Sequence, residues 1–425
     1  MRLWVASLIL LGSLGIHAQE TVKDTLCPPV ADTLVPSSRV FLPVPLPIIW
    51  AQDTVFPDPD SLLALDTRLA LNSIMHGDMG THDLSDSIHW EYLYADPDLE
   101  EDPLCIIGTG DIMLGTSYPT ENYLPPRGDC SPLLRPVHHV LQSGDLLFGN
   151  LEGVFCAEGG TPKKCKNPKT CYVFRMPDHF LDCVLEAGYD VLSVANNHVN
   201  DFGPAGRAYT AALLDSSGVA YAGFITHPWT LFEKDGIRYG FAAFAPNRGT
   251  MDLLDYEGAA EITRMLDSLA DVVIISFHGG GEGKDHQHVV RGDEIYLGAN
   301  RGSVYRFAHT VVDAGADVVF GHGPHVTRAV ELYEDRLICY SLGNFATYRR
   351  FNLRGPNGIA PIVKVNTDRN GRFVSGEVIP IYQPGEGGPR LDPSRQAVSV
   401  LKRLTESDFP DQDLVVDDDG ILWVR

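Results

Sequence analysis

The sequence predicts an α/β domain with largely parallel or mixed sheets over residues 104–390, behind an N-terminal appendage of different texture. Three observations carry this expectation. From Leu104 onward, short apolar runs alternate with amphipathic stretches of helical period. The ends of those runs repeatedly deliver carboxylate, amide or imidazole side chains. Before Leu104 the alternation is absent, and the chain is first Pro-rich and then acidic.

The elements follow in order. Met1-Arg2, an apolar run from Leu3 to Ile16 and the small residue Ala18 form the pattern of a secretory signal peptide, with cleavage expected after Ala18. The run is short for a membrane span, so residues 1–18 are read as a leader and the mature protein as exported, periplasmic or extracellular. Residues 19–50 are rich in Pro, Thr and Val, with Pro43, Pro45 and Pro47 alternating, and read as an extended linker or arm. In residues 51–103 acids outnumber bases and only 61–75 has helical spacing, which suits a solvating acidic spacer. Strands are expected at 104–108, 146–149, 191–195, 239–244, 272–277, 318–321 and 337–342. Helices are expected at 178–187, 204–217, 261–270 and 304–314. Residues 391–425 read as a tail: a helix at 393–405, an acidic stretch, and a final apolar run at 421–424 that suits a docked strand.

Composition narrows the function. The 425 residues include 33 basic and 56 acidic side chains, a formal net charge of −23. That excludes a general nucleic-acid binder, which needs a basic footprint, and adhesion to an anionic membrane by charge. The 44% hydrophobic fraction suits a globular core. Export makes the eight Cys readable as disulfides. The loop from Cys156 to Cys171 is expected to carry at least one bridge, whereas Cys105 and Cys339, inside apolar runs, are expected to be buried thiols.

The strand ends carry the chemistry. Asp111 follows the first run, Asn150 and Glu152 the second, and Asn196, Asn197, His198 and Asp201 the third. His278 and Glu282 follow the fifth, His322 and His325 the sixth, and Asn344 the seventh. Ligands of open α/β sheets bind outside the carboxyl ends of the strands, so six such ends suggest one shared rim. Imidazole, carboxylate and amide donors without Cys suit one or two divalent ions, Mn, Zn or Fe. Such ions clamp an oxyanion and activate water, and an imidazole beside them protonates the leaving group. Arg328, with Arg349, Arg350 and Arg354, follows the last strand ends; the four read either as a locally positive pocket that binds substrate or as ordinary surface arginines. His286 and His288 read as surface residues, His138 and His139 as riders on a helix, and the lysines at 163–169 as a solvated loop or, alternatively, a contact for an acidic polymer.

Gly110-Asp-Ile-Met-Leu-Gly115, Asn150-Leu-Glu152, Ala195-Asn-Asn-His198, Gly321-His-Gly-Pro-His325-Val326 and Ser341-Leu-Gly-Asn-Phe345 together resemble the motif set of the bacterial CapA family, associated with capsule and poly-γ-glutamate synthesis. The resemblance covers roughly 104–385. That family is similar in fold to calcineurin-like metallophosphoesterases, which implies a four-layer α/β/β/α sandwich with a dinuclear metal centre between the sheets. Carried over, it implies metal ligation by Asp111, Glu152 (bridging), Asn197, His278, His322 and His325, with His198 near the leaving group. Two departures stand out: Met113 occupies the place of an expected His, and the terminal His pair is spaced by three. Both bear on whether one ion or two are held.

Three functions stay open at this level. The first is a metal-dependent hydrolase, with Asp111, Glu152 and His198 catalytic, acting on a phosphoester or an amide-linked cell-envelope polymer. Its substrate contacts would fall to Asn150, Asn196, Asp201, Glu282, Arg328 and Asn344. The second is a non-catalytic subunit that binds an anionic polymer or a membrane polymer synthase. The third is a metal-assisted epimerase acting at an amino-acid α-carbon.

Overall fold

The computed structural model describes residues 102–164 and 171–425. The expected leader, the arm and the acidic spacer lie outside the described residues. The first strand, β1 (Leu104–Met113), is buried almost throughout. Parallel to it run β2 (Leu146–Leu151), β3 (Val191–Ser193) and β4 (Ala220–Ala222), in the spatial order β1-β2-β3-β4. A second sheet of six strands holds β5 (Trp229–Lys234), β6 (Ile237–Phe244), β7 (Val272–His278), β8 (Val318–His322), β9 (Val330–Tyr333) and β10 (Arg336–Cys339). Its order is β9-β10-β8-β7-β6-β5, with β6, β7, β8 and β10 mutually parallel. The chain then returns to the first sheet. There β11 (Asn344–Thr347) pairs parallel with β1, and β12 (Ile359–Thr367) and β13 (Phe373–Tyr382) add antiparallel strands on its outer edge.

Alternation of side chains explains why the strands read as continuous apolar runs. A strand covered on both faces needs apolar residues at every position. Ile106, Leu146, Phe148 and Val191 point towards the second sheet and meet Phe241, Ile274, Val318 and Phe320 there. Their neighbours Ile107, Leu147 and Leu192 pack instead under helices α1 (Phe180–Glu186) and α2 (Gly203–Ser217). On the second sheet Ala242, Val273, Ile275 and Val319 face α3 (Tyr256–Asp267) and α4 (Val304–Asp313). Three cores separate four layers, so the α/β/β/α sandwich is present.

Local signals set the helices. Ser303 caps α4 by accepting from the Arg306 N–H at 3.3 Å, and Asp255 caps α3 by accepting from Gly258 N–H at 3.1 Å. Gly218 ends α2 in the left-handed region, φ 72°. The segment read as a tail belongs to the sandwich. After helix α5 (Gln396–Asp408), strands β14 (Leu414–Val416) and β15 (Ile421–Val424) extend the first sheet beyond β13. Val398, Leu401 and Leu422 join the core between the sheets, so the apolar ending docks because that core would otherwise be open at its edge.

The cysteines bear out the bridge expected on the 156–171 loop, at Cys171, and add a second bridge the sequence did not indicate. Cys130 is bonded to Cys183, joining the loop after β1 to α1 across 53 residues of sequence. Cys171 is also in a disulfide, while Cys156 is a buried free thiol. Cys339 is buried as expected, and Cys105 only partly. Among the described residues no helix is long and apolar enough to cross a membrane.

Candidate metal centre

Strand register assembles the site. Asp111 on β1 stands opposite Asn150 on β2 and Asn344 on β11, and His278 on β7 stands opposite His322 on β8. The two rims meet where His322 Nε2 donates to the Thr109 carbonyl at 3.1 Å, one sheet bonding the other. Gly110 makes the approach of β1 to β11 possible. A Cβ there would lie 2.0 Å from the Gly343 carbonyl oxygen, which accepts from Asp111 N–H at 2.9 Å.

At the centre the Asn150 amide donates to both carboxylates, Asp111 Oδ1 at 2.8 Å and Glu152 Oε2 at 2.7 Å. His325 reaches the same pair from the other sheet. Its Nδ1 donates to Asp111 Oδ2 at 2.7 Å, and its Nε2 lies 3.8 Å from Glu152 Oε1. His278 Nδ1 lies 3.5 Å from Glu152 Oε2. Ligand atoms of Glu152, His278 and His325 lie within 4.8 Å of one another. His325 holds this position with φ 57°, a strained conformation for a residue with a Cβ.

The electrostatics are those of charges crowded away from water. Burial, and then the neighbouring Asp111 charge, push the Glu152 carboxyl well above its usual range. Burial would also raise Asp111, but the His325 hydrogen bond and charge outweigh it and hold the group low. His325 is lowered by burial and raised more by Asp111 and Glu152, reaching about 10. Burial and the nearby Arg301 keep His278 well below the ordinary imidazole value, and burial also lowers His322.

Several buried polar atoms here have no hydrogen-bond partner: Glu152 Oε1, both His278 nitrogens, His322 Nδ1, Asn197 Oδ1 and Asn344 Oδ1. A buried polar group without a partner costs about 1–3 kcal/mol, so such a concentration is unfavourable unless something else satisfies it. Neutral imidazoles, carboxylates and amide oxygens match a divalent cation of borderline or hard character. The residues fit such an ion. Met113 does not contribute, because its side chain packs into the core under α1 and α2.

His198 stands at the edge of this cluster. Its Nδ1 donates to Asp201 Oδ2 at 2.8 Å, and Asp201 also accepts from the Phe174 N–H at 2.6 Å. The ring stacks on Phe174 with centroids 4.2 Å apart. Burial lowers its pKa, and Asp201 opposes that only in part. The side chain lines a cleft of about 380 Å³ together with Asn197, Glu282, His325, Asn344 and Arg350.

Other expected contacts fall elsewhere. Arg328 is fully buried and does not line the cleft; its guanidinium donates twice to Glu294, at 2.8 and 2.7 Å, and to the His286 carbonyl. A buried guanidinium requires such a partner, and the loop after β7 supplies it. Asn150 and Asn196 are also buried. Asn196 donates to the Leu151 carbonyl at 2.8 Å and accepts from His198 N–H at 3.0 Å, which holds the loop carrying His198. Asp201 is buried behind His198 and bonded to Lys163 Nζ at 2.6 Å. Sequence reasoning did not find Phe174, Phe351 or Asn357, which close the cleft. Nothing in their local sequence sets them apart from ordinary loop residues.

The family model described as bacterial capsule synthesis protein PGA_cap matches residues 105–349. The chain is 26% identical over 265 residues to the capsule biosynthesis protein CapA of Bacillus anthracis, covering 58% of this chain and 60% of that one. It is 26% identical over 325 residues to the PGA biosynthesis protein CapA of Bacillus subtilis, covering 72% and 79%. The chain thus spans less than two thirds of the first of these relatives. Among solved structures, a purple acid phosphatase from yellow lupin seeds is similar over 67% of this chain and 52% of that one, with 10% identity and a TM-score of 0.36. A likeness that loose carries no functional argument. The matched span takes in every candidate ligand from Asp111 to Asn344, and the chain belongs to the PGA_cap family of bacterial capsule synthesis proteins.

Proposed function

We propose that the protein is an exported, metal-dependent hydrolase of capsule or polyglutamate synthesis, cutting a phosphoester or amide bond in an anionic cell-envelope polymer. One observation carries this reading: Glu152 Oε1 and both His278 nitrogens are buried without partners, ligand atoms of Glu152, His278 and His325 lie within 4.8 Å of one another, and a His198–Asp201 pair lines the adjoining cleft. Asp111, Glu152, Asn197, His278, His322 and His325 would hold one or two divalent ions, with Mn, Zn or Fe suited to the donor set. A cation there supplies Lewis-acid polarisation of the scissile group.

The chain's own residues do the rest. Asp201 fixes the His198 tautomer and leaves Nε2 as the proton-exchanging atom. Burial disfavours the charged ring, and an anionic group bound beside it favours the protonated form. His198 then hands its proton to the leaving group. Phe174 and Phe351, stacked at 5.2 Å, keep water from that face. Lys163 balances Asp201 so that His198 does not bear its whole charge.

The test is metal content by plasma mass spectrometry on the wild type, Asp111→Asn and His322→Ala, with turnover screens on phosphodiester and amide substrates. Metal is expected in the wild type and reduced in both variants. His198→Ala should lower turnover by about 10²–10⁴-fold while metal content stays unchanged. Turnover equal to wild type in His198→Ala would remove that residue from the mechanism. A second reading has its own support, since the relatives are named for biosynthesis and hydrolysis is not a synthetic step. In it the protein binds the polymer or its synthase, and absence of metal after supplying Mn and Zn would favour it.

A further inference from the structure

The cleft over the candidate metal centre continues outward. Lys163, Tyr172, Arg350, Phe351 and Asn352 line it and also line a second cleft of about 920 Å³, whose other walls include Tyr118, Tyr123 and Lys164. A pocket of roughly 300–1,000 Å³ takes a drug-sized ligand, so the two together exceed what one small ester would fill.

This outer limb is cationic in a chain of net charge −23. The Arg350 guanidinium lies 4.9 Å from the Tyr123 ring centroid and 5.3 Å from that of Tyr172. It donates to the Cys171 carbonyl at 3.0 Å, its Nε has no hydrogen-bond partner, and among the described residues no carboxylate pairs with it. Arg349 and Arg350 are both left-handed, with φ 53° and 60°. Such residues cost about 1–3 kcal/mol each and persist where the surroundings over-determine them, as at ligand clamps. Arg349 supplies that anchor through its ion pair with Glu386 at 2.7 Å, which leaves Arg350 aimed into the limb. Lys164 is exposed and also lines this limb.

We propose that this limb is a chain-binding subsite: it holds carboxylates of an anionic polymer several repeats away from the bond at the metal centre, with the tyrosine faces packing the stretches between them. The proposal rests on reading the substrate as an anionic envelope polymer. With Lys163 paired to Asp201, the limb offers Arg350 and Lys164 from two different segments of the chain. Single cations of that kind suit singly charged carboxylates along a chain better than a cluster of phosphates, which calls for convergent donors. Binding remote from the reacting bond would make the protein select long chains over short ones.

Calorimetric titration of the full chain with glutamate oligomers of increasing length tests this, beside inorganic polyphosphate of matched charge, in chelator and in Mn. Wild-type affinity should rise with glutamate chain length and then level off, in chelator as well as in Mn. Arg350→Gln and Lys164→Gln should each weaken long-chain binding about tenfold, equivalent to about 1.4 kcal/mol, and Lys164→Gln, at a position outside the inner cleft, should leave the shortest oligomers unaffected. Lys164 is exposed, so its variant keeps the test decisive where Arg350→Gln fails to fold. Length-independent affinity, wild-type affinity in the folded variants, or preference for polyphosphate overturns the proposal. Because long-chain binding is measured in chelator, loss of the hydrolase reading leaves this result standing, and the converse holds.

Discussion

Replacing Glu152 with Gln should move stability in opposite directions with and without a divalent cation. Glu152 is fully buried, one of its oxygens has no partner, and Asp111 adds a second charge beside it. Its folded pKa is raised, so the stability linked to this group is fully present below the unfolded carboxylate value and is lost as pH rises through the folded one. In chelator at neutral pH, Gln removes that penalty, which for one unsatisfied buried group is about 1–3 kcal/mol. Unfolding entropy of about 2.1 cal/mol/K per residue over the roughly 320 described residues gives about 0.7 kcal/mol per degree. The variant should therefore melt about 1–4 °C above wild type in EDTA. A cation at a hundred times its Kd stabilises wild type by about 2.7 kcal/mol, or about 4 °C, and the variant much less. Scanning calorimetry of both proteins in EDTA and in Mn or Zn measures all four values. A variant less stable than wild type in EDTA, with an undiminished gain from metal, would refute the reasoning.

Other expectations follow from packing. Gly110→Ala places a Cβ 2.0 Å from the Gly343 carbonyl and should cost about 1–3 kcal/mol by overpacking, seen as a lower denaturant midpoint with an unchanged slope. Phe148 stacks on Phe320 at 4.9 Å in the core between the sheets, and Phe148→Ala should cost about 3–5 kcal/mol in the same assay. Opening the Cys130–Cys183 bridge by double replacement with Ser frees a 53-residue loop, for which chain entropy predicts a loss of about 4 kcal/mol. A melt identical to wild type would show that the unfolded chain gains no freedom from the change.

The repeating pattern of apolar runs was enough to place β1, β2, β3, β6, β7 and β8 and the helices between them, because strands covered on both faces need apolar residues at every position. It also brought Asp111, Glu152, Asn197, His198, His278, His322 and His325 to one rim, since parallel strands put their carboxyl ends together. The antiparallel strands β12 and β13 were not legible, because Lys364 and Asn366 interrupt the otherwise buried apolar run of β12 and the half-exposed β13 mixes polar and apolar types. Nor was the role of Arg328. An arginine near a strand end has the same local sequence whether it faces a ligand or is buried against Glu294. The pairing of Cys130 with Cys183 likewise depended on where α1 packs. Periodicity is a local property of the chain and survives in the sequence. Which side chain meets which across 214 residues, as His325 meets Asp111, is settled only when two sheets close on one core.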